Sequence, residues 1–288
     1  MNYNIPEDII KRICEGKCGL FVGSGLSVDA GLPSWSYLLE SMIRKINVQN
    51  NTKIELYQLV EKNEYLIVAE FCTEYLSPGQ LCTFMRDTFD NQNIHPGIIH
   101  LQLPLLPLSC IITTNYDKLL EETYNKAFSK VPPSYTYKDI GDLSLDISKE
   151  QFFILKAHGD IHRCETLILK RTDYQKIMFE EKAAWIILQT LFITRTFLFL
   201  GYSLTDPDFM LLIENLAVVF KQYNVMHYAL LPDPGEVKKS VLKRCFNIEV
   251  IPYLPTEGHP EVGEFINKLI QKVNQFNKNN PFEGKFFI

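Results

Sequence analysis

The chain lacks the features that define several large protein classes. Spanning a bilayer takes roughly 20 consecutive apolar residues, and the longest apolar runs here, around 183–188 and 197–200, are far shorter. The first ten residues, MNYNIPEDII, have no basic segment followed by an apolar core, so no secretory leader is expected. Positive charge is in deficit, with 29 Lys and Arg against 34 Asp and Glu for a net charge of −5. That balance gives no electrostatic ground for a nucleic-acid surface. The pairs Lys238–Lys239 and Lys243–Arg244 read as solvated helix faces. Seven cysteines are scattered along the chain, several inside apolar runs, the habit of buried reduced thiols. These absences lead us to expect a cytoplasmic, disulfide-free protein with no direct nucleic-acid or membrane contact. No metal centre is expected either. His158 and His162 have the spacing of one helical turn, but Gly159 between them signals a bend, and His95 and His100 flank a proline.

What is present is a series of short apolar runs, each followed by glycine or polar residues and then by a helical pattern. The runs 18–22, 109–112, 152–155, 196–200, 225–231 and 248–253 read as strands. Helical spacing covers 6–14, several segments between 36 and 104, the stretch after Asn115 to Phe128, 172–194, 237–244 and 261–273, with a further helix start near Asp206–Pro207. Residues 131–148 hold prolines and no sustained period, so they read as mostly loop, and the tail from Lys278 has no clear period. Alternation of this kind predicts an α/β, Rossmann-like fold: a mostly parallel sheet of about six strands with helices on both faces. We expect a single domain over 1–288, with 36–104 as a helical insertion.

Sheets of this kind bind ligands beyond the carboxyl ends of their strands, which is where Gly23, Asn115, His158 and Gly201 fall. Gly23-Ser24-Gly25 after a strand has the character of a phosphate loop, its glycines admitting an anion close to backbone amides. There is no Gly-Lys-Ser/Thr, so it is not an ATP-hydrolysing loop. The acid that a dehydrogenase places about 20 residues later is also missing. Each cluster has a plain structural explanation beside the functional one. Asn115 is suited to capping a helix that begins at Tyr116, and Asp117 to favouring the same helix terminus. His158 before glycine fits a turn, Trp35 a staple between loop and helix, Arg171 and Tyr174 structural positions, and Asp206–Asp208 a helix start.

Taken together the clusters carry a resemblance. Gly23-Ser24-Gly25-Leu26-Ser27, continuing to Ala30-Gly31-Leu32-Pro33, resembles the nucleotide loop of the sirtuins; Thr114-Asn115-Tyr116-Asp117 resembles the family's second motif; His158-Gly159 resembles its catalytic histidine; and Gly201-Tyr202-Ser203 resembles its Gly-x-Ser. The four occur in the family's order between residues 23 and 203. The chain departs from the protein-deacylase branch, which carries two Cys-x-x-Cys pairs after the histidine, because only Cys164 lies between His158 and Gly201. A helical segment over 164–195 is expected in place of that zinc module. The departure, and the stretch ending in Arg171-Thr172-Asp173-Tyr174, resemble the sirtuin-like branch that hydrolyses NAD+ in bacterial antiviral defence.

The resemblance implies NAD+ as substrate and no metal. It implies Asn115, His158 and Asp117 at the chemistry, with Gly23, Ser24, Gly25, Ser27, Ala30, Gly31, Pro33, Trp35, Thr114, Gly201 and Ser203 around the dinucleotide. Nicotinamide is a cationic leaving group that departs without a general acid, so the site must stabilise an oxocarbenium-like ribose. Asn115 would hold the ribose or a water, and His158, of a type that titrates near neutrality, would accept a proton. Asp117 would orient Asn115 or complement the growing charge. Trp35 would cover the nicotinamide end. The expected products are nicotinamide and ADP-ribose. Unchecked turnover would drain the cell of cofactor, so the resemblance further implies control by self-association and by a partner such as a HerA-class motor ATPase. Two other readings share the pocket: an NAD-dependent deacylase or ADP-ribosyltransferase, and a non-catalytic nucleotide sensor.

Overall fold

The structure, a computed structural model, describes residues 3–90, 93–204, 210, 213, 214, 216 and 225–279. Seven strands form one sheet in which every pairing is parallel: β1 Cys18–Val22, β2 Ile111–Thr113, β3 Ser134–Thr136, β4 Ile154–Lys156, β5 Thr196–Leu200, β6 His227–Pro232 and β7 Ile248–Tyr253. Their spatial order is β3-β4-β2-β1-β5-β6-β7. From β1 the chain places β2, β3 and β4 on one side, with β4 inserted between β2 and the edge strand β3, returns across β1 to β5, and then builds outward on the other. That reversal opens a crevice at the carboxyl end of β1, the place where open α/β sheets take ligands.

The sheet has seven strands where about six were expected. The extra one is β3, inside the segment read as mostly loop, and it is followed by a helix over Ile140–Ser148. β3 is three residues long, pairs only with β4 at the sheet edge, and leaves Ser134 and Tyr135 half-buried. A strand that short, with no apolar run, gives no periodic signal. β1 and β5, by contrast, are buried at every position, and their residues divide by period two. Leu20, Val22, Leu198 and Leu200 pack on one face, Phe21, Phe197 and Phe199 on the other.

The helices are α1 Glu7–Cys14, α2 Ser24–Val28, α3 Trp35–Lys45, α4 Asn50–Glu61, α5 Tyr65–Glu74, α6 Pro78–Phe89, α7 Ile98–Gln102, α8 Leu119–Phe128, α9 Ile140–Ser148, α10 Arg171–Phe179, α11 Lys182–Thr194, α12 Gly235–Phe246 and α13 Pro260–Asn279. Residues of α1, α7, α8 and α13 share the core on one sheet face, and those of α9, α11 and α12 the core on the other. The helical run expected over 172–194 is two helices, α10 and α11, separated at Glu180 and Glu181. The helix start expected near Asp206–Pro207 lies outside the described residues, as does the tail from residue 280.

The block between β1 and β2 has its own core, including Leu39, Met42, Ile43, Val68, Ala69, Cys72 and Met85. Tyr116 and Ile161 belong to the same cluster, so the block seats on the loops that follow β2 and β4. Two caps define its helices. The Ser34 hydroxyl accepts from the Tyr37 amide at 3.3 Å, and Ser77 with Gln80 forms a reciprocal capping box.

The expectation of no disulfide is overturned. Cys82 of α6 is bonded to Cys164, with Cα atoms 5.5 Å apart. The packing explains the proximity, because α6 runs beside the loop after β4, where the Arg86 guanidinium donates to the carbonyls of Ile161 and His162 at 3.4 and 3.3 Å. Eighty-two residues separate the two cysteines in sequence, so spacing could not reveal the pair. Cys14, Cys18, Cys72, Cys110 and Cys245 are free thiols. Among the described residues no helix is long and apolar enough to cross a membrane.

Candidate active site

A cavity of about 700 Å³ opens at the carboxyl ends of β4, β2, β1 and β5. Of the residues expected there, Ser24, Gly25, Ser27, Pro33, Trp35, Thr114, Asn115, Asp117, His158, Gly201 and Ser203 all line it. Gly23, Ala30 and Gly31 do not. Residues that sequence reasoning left out also form its walls: Tyr65 and Phe89 from the helical block, and Arg171 and Tyr174 of α10. Trp35 sits at the first turn of α3 with its ring edge-on to Tyr65, centroids 6.5 Å apart, so the aromatic wall is shared by the two.

The glycines of the first loop serve a different purpose from the one expected. A Cβ on Gly23 would lie 2.5 Å from the Gly201 carbonyl oxygen, and one on Gly25 would lie 2.8 Å from it. Their amides are consumed as well, Gly23 donating to Leu200 O at 3.0 Å and Gly25 to Gly201 O at 2.9 Å. These glycines therefore dock the β1 loop onto the β5 loop, and their amides are not held open for an anion. Gly201 itself has φ +61°, a conformation costly for other residues.

Asn115 does not cap a helix. α8 begins at Leu119, and it is the Asp117 carboxylate that accepts from the Leu119 amide, at 3.0 Å. The buried Asn115 side chain instead donates through Nδ2 to Gly23 O at 3.2 Å and to Ser27 Oγ at 2.9 Å. Ser27 in turn donates to Asp117 Oδ2 at 2.8 Å. The direction of this relay follows from its ends. An ionised carboxylate accepts only, and so does a carbonyl, so Ser27 must donate to Asp117 and receive from Asn115, whose NH2 must face Gly23. Asn115 Oδ1 is then left as a buried acceptor with no partner among the described residues, in a residue that lines the cavity. Leaving such an atom unsatisfied costs about 1–3 kcal/mol, an expense that a ligand donor would remove. The backbone is fixed too, since Asn115 N donates to the Thr113 hydroxyl at 3.0 Å.

Lys156, at the end of β4, is 1% exposed and was not singled out in the sequence. Its ammonium donates to the carbonyls of Tyr116 and Asp117 at 3.0 and 2.6 Å, and meets Asp160 at 3.2 Å and Glu121 at 3.5 Å. It ties the Asn115 loop to the His158 loop from beneath. Burial pushes the Asp160 carboxyl up, but Lys156, the His162 amide and Lys118 outweigh it and hold the group below its ordinary value. A lysine closing the apolar run of β4 was the available signal. His158 follows two residues later, its carbonyl accepting from Ile168 N at 2.9 Å. Gly159 has φ +89°, and a Cβ there would run into the Thr166 carbonyl.

The half-buried His158 ring lines the cavity with Nε2 3.2 Å from the Tyr174 hydroxyl, the two rings nearly perpendicular with centroids 5.2 Å apart. Among the described residues no group of three or more His, Cys, Asp or Glu is placed to hold a metal ion. Asn115, Asp117 and His158, from two different strand ends, thus share one cavity. The arrangement defines an α/β protein whose ligand site lies at the topological switch point, with a neutral acceptor and an imidazole at its floor.

Comparison with known proteins agrees with that class. Residues 109–251 match the family described as a SIR2-like domain. It is similar to proteins named NAD(+) hydrolase ThsA. Identity is 26% over 226 residues with that of Bacillus cereus (78% of this chain, 45% of that protein). It is 28% over 232 residues with that of Enterococcus faecium (77% and 45%). With Defense-associated sirtuin 2 of Bacillus subtilis identity is 24% over 257 residues, covering 84% of this chain and 24% of that one. The chain therefore spans about half the length of the curated ThsA relatives it matches. A crystal structure of a SIR2 homolog–NAD complex aligns over 96% of both chains at 15% identity, with a TM-score of 0.47.

Proposed function

We propose that this chain hydrolyses NAD+ at the bond between nicotinamide and ribose, releasing nicotinamide and ADP-ribose as an NAD-depleting effector of antiphage defence. One observation carries the reading: the Asp117–Ser27–Asn115 relay leaves Asn115 Oδ1 as an unpaired acceptor in the cavity that also holds His158. A neutral acceptor suits this chemistry, because it can orient a water or a ribose hydroxyl through its proton without trapping the cationic substrate as a tight ion pair. Water adds to C1′ as nicotinamide departs neutral with the bonding electrons, and His158 takes the proton that the water loses. Asp117 acts through Ser27, holding the amide rather than touching the sugar. Ser24, Thr114, Gly201 and Ser203 would line the ribose and phosphate path, and Trp35 with Tyr65 would cover the nicotinamide end and exclude solvent. The names of the ThsA relatives support the same activity.

The test is to incubate the purified chain with NAD+ and separate the products by chromatography, with and without an acylated peptide. Nicotinamide with plain ADP-ribose is the expected outcome. Acylated ribose would indicate deacylation instead, and ligand binding without turnover a sensor. Either Asn115→Ala or His158→Ala should lower the rate about 100-fold or more. We further propose one NAD-binding domain over 1–288, with 36–104 as its insertion and 164–195 in the place of a zinc module. We place the reaction in the cytoplasm, under control by self-association and a HerA-class partner. Ile98, Leu101 and Leu105 are exposed at helical spacing, an apolar row that fits such an interface. Fully active, monomeric protein that ignores the partner would end that part of the proposal.

A further inference from the structure

Arg171 and Tyr174 stand three residues apart on α10, so they project from one face of that helix, and both line the cavity. They do so from an element with no buried residues, packed neither into the sheet core nor into the core of the helical block. Tyr174 and Ile177 rest against a small separate apolar cluster of Tyr137, Ile168 and Ala184, and polar contacts add to the hold. Glu70 of α5 accepts from the Thr172 amide at 3.1 Å and from its hydroxyl at 3.0 Å, and Lys170 lies 3.8 Å from the same carboxylate. The helix thus contributes no fully buried residue to the protein while it turns Arg171 and Tyr174 towards the cavity.

Among the described residues lining the cavity, Arg171 is the one lysine or arginine. Among the described residues no ion pair neutralises its guanidinium, although Glu70, Asp173 and Glu64 are all on neighbouring segments. The amides of Gly23 and Gly25, the expected anion donors, are spent inside the protein. Among the described residues the cavity thus has one permanently cationic donor for an anion, one helical turn from the tyrosine that meets His158.

We propose that α10 is the arm through which the site reads substrate charge: Arg171 pairs with an anionic phosphate of the dinucleotide, and Tyr174, on the same face, positions the His158 ring. The inference rests on the NAD+ reading and deepens it. A planar guanidinium takes phosphate oxygens through two parallel donors, and seating the phosphate there sets the α10 backbone that carries Tyr174. Arg171 is a binding residue. Tyr174 is a positioning residue that acts on the imidazole and does not touch the reacting bond.

The experiment compares the whole protein with Arg171→Gln, Arg171→Lys and Tyr174→Phe. Calorimetry with ADP-ribose and with adenosine, which lacks the phosphates, reads the charge recognition. Arg171→Gln should weaken ADP-ribose binding roughly tenfold to a hundredfold, the worth of a charge-assisted hydrogen bond. Adenosine binding should stay within about twofold. Arg171→Lys should recover part of the loss. Tyr174→Phe should leave the KM for NAD+ within about twofold, lower kcat, and move the limb of the pH–rate profile that belongs to His158. Equal ADP-ribose affinity in Arg171→Gln and wild type, or equal losses for both ligands, overturns the charge-reading arm. An unmoved pH limb in Tyr174→Phe, with only a lowered melting temperature, overturns the positioning role. Wild-type protein that binds no ADP-ribose and releases no nicotinamide overturns the NAD+ reading beneath both.

Discussion

Asp117→Asn changes almost nothing in size but reverses one hydrogen bond, and the structure dictates what must follow. In the native relay the carboxylate accepts from Ser27 Oγ at 2.8 Å and from Leu119 N at 3.0 Å. An asparagine that keeps its oxygen toward Leu119 turns its NH2 on Ser27. Ser27 then accepts there and directs its own proton at Asn115. Asn115 must rotate to meet it, which withdraws Oδ1 from the cavity and sets it against the Gly23 carbonyl. If the new side chain takes the other orientation, its NH2 faces the Leu119 N–H. One buried hydrogen bond is lost in either case, about 1–3 kcal/mol. Loss of the cavity acceptor in the first case corresponds to roughly ten- to a hundredfold in kcat. Ser27→Ala is the control: it leaves Asn115 Nδ2 on Gly23 O, so the amide keeps its orientation and the loss should be a few-fold. Initial rates of nicotinamide release, with urea unfolding of the same samples, read both quantities. Asp117→Asn as active as wild type, or Ser27→Ala the worse of the two, would refute the relay.

Three further perturbations follow from the same geometry. Lys156→Met takes the buried cation from Glu121 and from Asp160, whose side chains are 6% and 7% exposed, leaves Asp160 with Lys118 alone, and removes the donor to two loop carbonyls. It should cost about 3–5 kcal/mol by urea titration, and a loss under about 1 kcal/mol would contradict the role assigned to Lys156. Gly159→Ala, at φ +89° and against the Thr166 carbonyl, should destabilise the protein by more than about 3 kcal/mol and lower activity through displacement of His158; full activity would show that the loop can move. His100 is buried with both ring nitrogens unpaired among the described residues, and burial lowers its pKa from 6.5 to about 4. The unfolded chain therefore binds a proton that the folded one refuses. Stability is complete above pH 6.5 and should fall by roughly 3 kcal/mol as the pH drops towards 4, and His100→Leu should flatten that slope.

Much of the site was legible because apolar runs that stop at glycine or polar residues mark strand ends, and open parallel sheets bring such ends together. Asn115, His158 and Gly201 were found that way. What escaped has no local signature. The Cys82–Cys164 bond joins positions brought together by α6 lying along a loop, and β3 is too short to show a period. The glycine loop lies beside the cavity as expected, but its glycines make contacts other than those expected. Close approach to the Gly201 turn requires the same residue type as close approach to a phosphate, and only the distances separate the two. Asn115 looked like a helix cap because the helix was expected at Tyr116, whereas α8 starts three residues later and Asp117 takes the capping hydrogen bond. Arg171 and Tyr174 read as structural because their function depends on which wall of the cavity α10 faces.

The most direct measurement is a double-mutant cycle on nicotinamide release, comparing Asn115→Ala, His158→Ala and the pair with wild type. Side chains that act together on one water and one ribose should be strongly non-additive, the double variant falling little below the worse single one. Losses that simply multiply, or turnover that survives in both single variants, would contradict a shared reaction centre.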